Sequence, residues 1–151
     1  MKILMVCLGN ICRSPLAEGI LQSKVNSDIV RVDSAGTAAH HVGELPDIRS
    51  IAVAKKYGID LTNQQARKFV AKDFDQFDLI YAMDQSNYYN ILGLARNAND
   101  KQKVQLILNE VDSNANNEVP DPYYGGDYGF ENVYQMLNEA CDVIATKIEK
   151  L

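Results

Sequence analysis

Unbroken runs of apolar residues predict the strands of this chain. The run that begins at Lys2 and ends at Val6 shows no alternation of apolar and polar positions, which is typical of a strand covered on both faces of a parallel sheet. Residues 77–83 (FDLIYAM) and 104–108 (VQLIL) have the same character. With a shorter run at 29–34, the sequence predicts four strands.

Apolar residues spaced three and four positions apart predict helices between and after these strands. The segment from Gly129 to Leu151 keeps this spacing throughout. The segment from Asp47 to Tyr57 keeps it too, and Gly58 follows where a helix commonly ends. A shorter helix is predicted after Asp84.

Strands that alternate with helices predict an α/β fold, with a four-stranded parallel sheet and helices on both faces. The 151 residues fit a single domain spanning 1–151. In such sheets, ligands bind beyond the carboxyl ends of the strands. The loop after the first strand is therefore the first place to look for a site.

That loop, residues 7–15 (CLGNICRSP), has the features of an anion site. It leads into a helix for which Ser14 is predicted as N-cap and Pro15 as first residue. Unpaired N–H groups at a helix N-terminus attract anions, and Gly9 permits backbone geometry closed to other residues. Arg13 adds a planar guanidinium that grips two oxygens of one anion.

Cys7 begins this loop, and its position suggests nucleophilic chemistry. A ring of hydrogen-bond donors favours thiolate over thiol, and a thiolate beneath a bound phosphoryl group is directed at phosphorus. A buried cysteine that only packs is the alternative. The spacing C-x5-R-S between a strand and a helix favours the catalytic interpretation.

Composition narrows the class of protein. The chain is 46% apolar and 23% charged, as in soluble globular proteins, and its net charge of −5 argues against nucleic acid and anionic membranes as partners. Neither a membrane span nor a signal peptide is evident, so a cytoplasmic location is expected. Three cysteines without zinc-ligand spacing predict reduced thiols and no metal.

Three further motifs accompany the loop: VDSAGT at 32–37, MDQSN at 83–87 and DPYYG at 121–125. Together with CLGNICRSP they resemble the low-molecular-weight protein tyrosine phosphatase family over nearly the whole chain. The resemblance implies hydrolysis of phosphotyrosine in proteins or peptides through a phosphocysteine on Cys7, with inorganic phosphate as product. It also implies no cofactor, and a monomer or weak dimer.

The resemblance also assigns roles within the loop. The phosphate-binding residues are Leu8, Gly9, Asn10, Ile11, Cys12, Arg13 and Ser14. Asn10, Ser14 and Ser34 support the loop through hydrogen bonds, with the Ser14 hydroxyl directed at the Cys7 sulfur. Cys12 captures oxidised Cys7 as a reversible disulfide, although simple packing is the alternative for Cys12.

The segment DPYYGGD, residues 121–127, supplies the predicted general acid. The departing oxygen of a phosphate monoester needs a proton, which a carboxylic acid can deliver. By resemblance Asp121 is that acid and then the base that activates water. A plain Asp-Pro turn is the alternative, and Glu118 and Asp127 are competing carboxyl groups.

Aromatic residues of the same segment form the predicted substrate slot. Tyr123 and Tyr124 are placed to sandwich an aromatic leaving group, and exposure to solvent is the alternative for both. By resemblance His40 lies at the rim, where the family often has an aromatic wall. His40 and His41 lack a third ligand for a metal.

The chain departs from the family where a histidine often joins the network that supports the loop. Asn63 or Gln64 stands there instead. An amide replaces the hydrogen bonds of histidine but not its charge. The network that supports the loop is therefore expected to lack the charge that a histidine can carry.

Three other functions compete with phosphotyrosine hydrolysis. A protein arginine phosphatase has the same scaffold, but such relatives resemble one another in carrying threonine where this chain has Ile11. An arsenate reductase needs further redox cysteines, and Cys141 is poorly placed for that role. A noncatalytic phosphopeptide-binding module has no reason to keep Cys7 and Asp121 together.

Overall fold

The N-terminal strand lies inside the sheet. The strands are β1 (Lys2–Cys7), β2 (Arg31–Gly36), β3 (Leu79–Ala82) and β4 (Val104–Leu106). They pair in parallel in the order β2-β1-β3-β4. The computed structural model describes residues 1–124 and 129–151, with only the main chain at 124, and it confirms the predicted α/β fold with a four-stranded parallel sheet.

Helices cover both faces of this sheet. The α-helices are α1 (Arg13–Lys24), α2 (Ile48–Lys56), α3 (Asp73–Gln76), α4 (Gln85–Leu92), α5 (Ala98–Gln102) and α6 (Gly129–Glu149). Short 3-10 turns occupy Ile107–Glu110 and Pro122–Tyr124. The core on one face includes side chains of α1, α2 and α6, and the core on the other includes side chains of α3 and α4.

Burial on both faces explains why β1 shows no alternation. Ile3 and Met5 belong to the core beneath α1 and α6, whereas Leu4 and Val6 belong to the opposite core. All four side chains are fully buried. Each contributes about 1.5–3 kcal/mol of transfer free energy, so β1 is held firmly in the core and fixes the position of the loop that follows it.

The predicted strands at 77–83 and 104–108 prove longer than the paired segments. Phe77 and Met83 are buried but lie outside the ladder of β3, and the chain turns into a 3-10 helix at Ile107 directly after β4. Apolar burial therefore continues beyond strand pairing. The short helices α3 and α5 were not predicted, because four or five residues carry too little periodicity.

The carboxyl ends of the strands meet around the loop that follows β1. The N–H of Thr37 donates to the Cys7 carbonyl at 2.9 Å, and the N–H of Ala38 donates to the Leu8 carbonyl at 2.9 Å. A Cβ on Gly36 would lie 2.8 Å from the Leu8 oxygen, so only glycine allows this approach. Among the described residues, no helix is long and apolar enough to cross a membrane.

Candidate active site

The loop after β1 leaves main-chain donors at the start of α1. The helix begins at Arg13, and its N-cap residue, Cys12, makes no side-chain capping hydrogen bond. Ser14 is the second helical residue and Pro15 the third, so the predictions of Ser14 as N-cap and Pro15 as first residue are wrong. The Ser14 hydroxyl instead faces the sulfur of Cys7.

Two donors surround the sulfur of Cys7, which is 2% exposed. The main-chain N–H of Asn10 donates to Sγ at 3.3 Å, and the Ser14 Oγ lies 3.0 Å from Sγ. Because both groups can donate, they stabilise negative charge on the sulfur. The Cys7 sulfur therefore lies beneath the loop with two hydrogen-bonding groups directed at it.

Asn10 is the centre of the hydrogen bonds that hold the loop. Its side-chain Nδ2 donates to Ser14 Oγ at 2.8 Å and to Ser34 Oγ at 2.9 Å. Its Oδ1 accepts from the N–H of Arg67 at 3.0 Å. Asn10 also adopts the left-handed conformation, with φ of 56°, a role that the sequence suggested for Gly9. All three predicted support residues are joined in one network.

The small size of Gly9 serves another purpose. A Cβ at Gly9 would lie 3.1 Å from Cδ2 of His41, so the missing side chain makes room for that ring. His41 lines the cavity above the loop, whereas His40 is exposed and is not part of that lining. The prediction of His40 at the rim is therefore corrected to His41, whose Nδ1 lies 2.7 Å from Glu44 Oε2. Adjacent histidines cannot be told apart from the sequence when the loop conformation is unknown.

Glu18 extends the network beyond Ser34. Its Oε1 accepts a hydrogen bond from Ser34 Oγ at 2.7 Å, so a chain of contacts runs from this carboxyl group through Ser34 to Asn10. Burial raises the pKa of Glu18 to about 7. Sequence reasoning missed this residue, although it follows Ser14 by four positions and thus lies on the same helix face.

Arg13 is held in place by partners far along the chain. Its Nη1 donates to Asp84 Oδ2 at 2.7 Å and to the Val119 carbonyl at 3.0 Å, and the residue is only 5% exposed. Within the described residues, both contacts use Nη1, so Nε and Nη2 are left for an anion. The other oxygen of Asp84 caps α4 through the N–H of Asn87 at 2.8 Å, as the sequence predicted, but its pairing with Arg13 was not foreseen.

Gln64 takes the buried position in the segment where the family often has histidine. Gln64 is 9% exposed, whereas Asn63 is exposed. The Nε2 of Gln64 donates to the Pro15 carbonyl at 3.1 Å, and its Oε1 finds no partner among the described residues. Gln64 therefore supports the main chain of α1, whereas the hydrogen bonds that the structure describes for Asn10 lead to Ser14, Ser34 and Arg67.

A cavity of about 270 Å³ opens above the sulfur. Its lining comprises Cys7, Leu8, Gly9, Ile11, Cys12, Arg13, His41, Asp121 and Tyr123. Asp121 thus shares a cavity with Cys7 and Arg13. The N–H of Tyr123 donates to Asp121 Oδ1 at 3.0 Å, and the Tyr123 ring, 58% exposed, stands at the mouth.

The other predicted acids and the second predicted tyrosine are not placed in this cavity by the part of the structure that is described. Glu118 accepts a hydrogen bond from the N–H of Gln85 at 2.8 Å and lines a separate cavity. The side chain of Tyr124 and the whole of Asp127 lie outside the described residues. Of the predicted carboxyl groups that the structure describes, Asp121 is the one in the cavity.

Cys12 faces the same cavity as a protonated thiol. Burial, together with the nearby carboxylate of Asp47, raises the pKa of Cys12 to about 12. Cys141 is buried in the core, and burial raises its pKa to about 12 as well. All three cysteines are free thiols. Within residues 1–124 and 129–151, no group of three His, Cys, Asp or Glu residues could hold a metal ion.

A doubly wound parallel sheet with a loop of hydrogen-bond donors around a cysteine at the carboxyl end of β1 is typical of the class of cysteine-dependent phosphatases. Residues 2–151 match the model of one family of that class, described as low molecular weight phosphotyrosine protein phosphatase. The chain belongs to this family.

Relatives and solved structures agree with this assignment. The low molecular weight phosphotyrosine protein phosphatase of Schizosaccharomyces pombe is 43% identical over 90% of this chain and 89% of its own. The crystal structure of a protein tyrosine phosphatase from Entamoeba histolytica matches with a TM-score of 0.90 and 40% identity, over 99% of this chain and 97% of that chain. A drosophila arginine phosphatase matches with a TM-score of 0.88 and 34% identity, over 98% of each chain.

Proposed function

We propose that the protein hydrolyses phosphotyrosine in proteins or peptides. The observation that carries this proposal is the single cavity that Cys7, Arg13 and Asp121 line together. Family membership supports the same reaction, and reduced thiols are consistent with action in the cytoplasm.

In the first step the Cys7 thiolate attacks phosphorus in line with the departing phenolic oxygen. A P–S bond forms, the P–O bond breaks, and Asp121 transfers its proton to the leaving oxygen. The Nε and Nη2 of Arg13 and the main-chain N–H groups of the loop bind the equatorial oxygens, whose negative charge they offset. The hydrogen bonds to Asp84 and Val119 hold the Arg13 guanidinium in its orientation.

In the second step water attacks the phosphocysteine. Asp121, now a carboxylate, takes the proton from that water, the P–S bond breaks and inorganic phosphate leaves. The sulfur departs as a thiolate, which the hydroxyl of Ser14 and the N–H of Asn10 stabilise. Neither step consumes an organic cofactor.

The walls of the cavity favour an aromatic substrate. Ile11, His41 and the Tyr123 ring line the space above the sulfur, and such surfaces pack against a flat ring. A phosphoarginine substrate is the second candidate, because a drosophila arginine phosphatase is among the matching structures. Ile11 counts against this candidate, because arginine phosphatases resemble one another in carrying threonine at that loop position.

The test is phosphate release from matched phosphotyrosine, phosphoserine and phosphoarginine peptides under reducing conditions. We expect preference for phosphotyrosine, and we expect Cys7→Ser to abolish turnover. Preference for phosphoarginine would transfer the proposal to the second candidate. Full turnover by Cys7→Ser would place the nucleophile elsewhere, and tight peptide binding without turnover by the unmodified protein would indicate a binding module.

A further inference from the structure

Arg49, in the first turn of α2, makes a set of contacts that the proposed mechanism does not use. Its Nε and Nη2 donate to the two carboxylate oxygens of Asp47, each at 3.0 Å. Its guanidinium carbon lies 4.9 Å from the ring centroid of Tyr123 and 4.6 Å from that of Phe130. Both separations fall within the range of cation–π attraction. One side chain thus contacts an ion partner and two aromatic rings.

The Asp47 side of this cluster is attached to the phosphate-binding loop. The N–H of Asp47 donates to the Ile11 carbonyl at 2.7 Å. One turn further along α2, the Ser50 hydroxyl donates to the Cys12 carbonyl at 3.2 Å. Two main-chain carbonyls of the loop therefore accept hydrogen bonds from the beginning of α2. These bonds fix the main chain around Arg49 relative to the loop.

The aromatic side of the cluster belongs to the segment that carries the proposed acid. Tyr123 is two residues beyond Asp121, and its N–H donates to Asp121 Oδ1 at 3.0 Å. Phe130 is 4% exposed in the first turn of α6, so its ring is fixed by the core. Arg49 therefore contacts both Tyr123, in the turn that contains Asp121, and the buried ring of Phe130 at the start of α6.

We propose that Arg49 is a positioning residue that holds the turn of Asp121 and Tyr123 against the phosphate-binding loop, at the distance that proton transfer to the leaving oxygen requires. This inference rests on the proposed role of Asp121 as general acid. The planar guanidinium can present its flat surface to aromatic rings while its edge binds a carboxylate, which a lysine ammonium cannot do. Small displacements of a catalytic group cost much of its effect, so even a partial release of the turn lowers the rate.

A purely electrostatic role makes a different prediction. The Arg49 charge lies near the cavity, and its loss weakens the binding of every dianionic substrate to the same extent. Displacement of the general acid lowers kcat/KM only for substrates whose leaving group needs a proton. Phenyl phosphate has a poor leaving group and p-nitrophenyl phosphate a good one, so their ratio of kcat/KM separates the two roles.

The experiment measures kcat/KM for both substrates with Arg49→Met, Arg49→Lys and Asp121→Asn. We expect Arg49→Met and Arg49→Lys each to lower the value for phenyl phosphate about tenfold, and that for p-nitrophenyl phosphate less than twofold. In the double variant, Arg49→Met should not change the ratio of kcat/KM for the two substrates beyond the change that Asp121→Asn causes alone. Lys55→Ala, which removes a charge from the same helix, is the matched control and should leave both values unchanged.

The outcomes separate this proposal from the one on which it rests. If Asp121→Asn changes the ratio but Arg49→Met lowers both substrates equally, or adds its full effect to that of Asp121→Asn, the positioning role is refuted and the acid assignment stands. If Asp121→Asn itself leaves the ratio unchanged, the assignment of the acid fails and the role of Arg49 fails with it. Retention of the tenfold effect in Arg49→Lys, which keeps the charge, supports positioning by the planar group.

Discussion

A single carboxylate, that of Asp84, joins Arg13 to the start of α4. Its Oδ2 lies 2.7 Å from Nη1 of Arg13, and its Oδ1 accepts the N–H of Asn87 at 2.8 Å. The side chains of Arg13 and Asp84 are 6% and 20% exposed, so the pair is little screened by solvent. The orientation of the Arg13 guanidinium, which we propose to bind phosphate, therefore depends on a residue just beyond the end of a neighbouring strand.

Asp84→Asn tests this dependence. Asparagine remains a good N-cap for α4, but it loses the charge that holds Arg13. We expect inhibition by inorganic phosphate to weaken and kcat/KM to fall, each by about tenfold. Asp60→Asn, which alters an exposed carboxylate bonded to Thr62, is the control and should change neither. Unchanged phosphate inhibition in Asp84→Asn would show that Arg13 keeps its orientation without this partner.

Gly36→Ala probes the close approach of β2 to the loop. The added methyl group would lie 2.8 Å from the Leu8 oxygen and 3.1 Å from the Asn10 nitrogen, both of which are main-chain atoms. We expect the loop to shift, with about 1–3 kcal/mol lost from the free energy of unfolding and kcat/KM reduced at least tenfold. Chemical denaturation and steady-state kinetics measure the two effects.

Gly93→Ala provides the matched control for this steric argument. At Gly93 the nearest atom to a new Cβ is 3.5 Å away, and the backbone is in the ordinary helical region, with φ of −62°. Both the stability and the activity of Gly93→Ala should stay close to those of the unmodified protein. Equal losses in the two variants would mean that the approach of Gly36 to Leu8 is not the cause.

Redox capture by Cys12 should depend steeply on pH. Peroxide converts the Cys7 thiolate to a sulfenic acid, and the Cys12 thiolate then displaces hydroxide to give a disulfide. Because burial raises the pKa of Cys12 to about 12, little thiolate is present at neutral pH. We expect the rate of disulfide formation to rise by about tenfold per unit between pH 7 and 9.

Mass spectrometry of the peroxide-treated protein follows this reaction. Cys141→Ser should behave like the unmodified protein, whereas Cys12→Ser should accumulate the sulfinic acid of Cys7. A disulfide rate that does not change between pH 7 and 9 would contradict attack by the Cys12 thiolate. Absence of any bond between Cys7 and Cys12 would leave packing as the only role of Cys12.

The Glu18 carboxyl group should make stability fall as the pH rises. Burial, with a contribution from Asp33, raises its pKa from 4.5 to about 7, although Ser34 and Arg67 oppose the shift. Between pH 4.5 and 7 the folded state therefore binds more protons than the unfolded state, so the free energy of unfolding decreases over this window. The decrease attributable to Glu18 over this window is about 3 kcal/mol.

Urea denaturation at several pH values can isolate this effect. Other groups also titrate, so the informative quantity is the difference between the unmodified protein and Glu18→Gln. Glutamine still accepts the hydrogen bond of Ser34 but does not titrate. Relative to the unmodified protein, Glu18→Gln should become progressively more stable from pH 4.5 to 7. Parallel curves for the two proteins would show that Glu18 does not titrate in this range.

Local spacing explains why the strand, the loop and the positions of Cys7 and Arg13 could be predicted. Cys7 and Arg13 lie in the same short loop between a strand and a helix, so their spacing can be recognised in a short segment of sequence. Asp84 carried a local signal as a helix cap, but nothing near it in the sequence indicates a partner 71 positions away. The special backbone conformation that the sequence suggested for Gly9 occurs at Asn10, because both residue types tolerate it and only the surrounding contacts decide.

The same limit applies to the walls of the site. Whether His40 or His41 faces the cavity depends on the path of a loop that is bonded to Ala66 through the N–H of Gly43 at 2.8 Å. Arg49 appears in the sequence as one more charged residue on an amphipathic helix. Its two aromatic neighbours come from a different part of the chain, and no periodicity connects them.

The central place of β1 in the sheet has a consequence for biosynthesis. Although β1 is synthesised first, its two neighbours are residues 31–36 and 79–82, and the carbonyl that holds Arg13 belongs to Val119. Closing loops of this length precedes the contacts that repay their entropy. A nascent chain whose Val119 has not yet left the ribosome therefore carries Arg13 without one of the two partners that hold its guanidinium. Recovery of enzymatic activity after dilution from denaturant would accordingly report completion of the whole sheet, not the formation of its first unit.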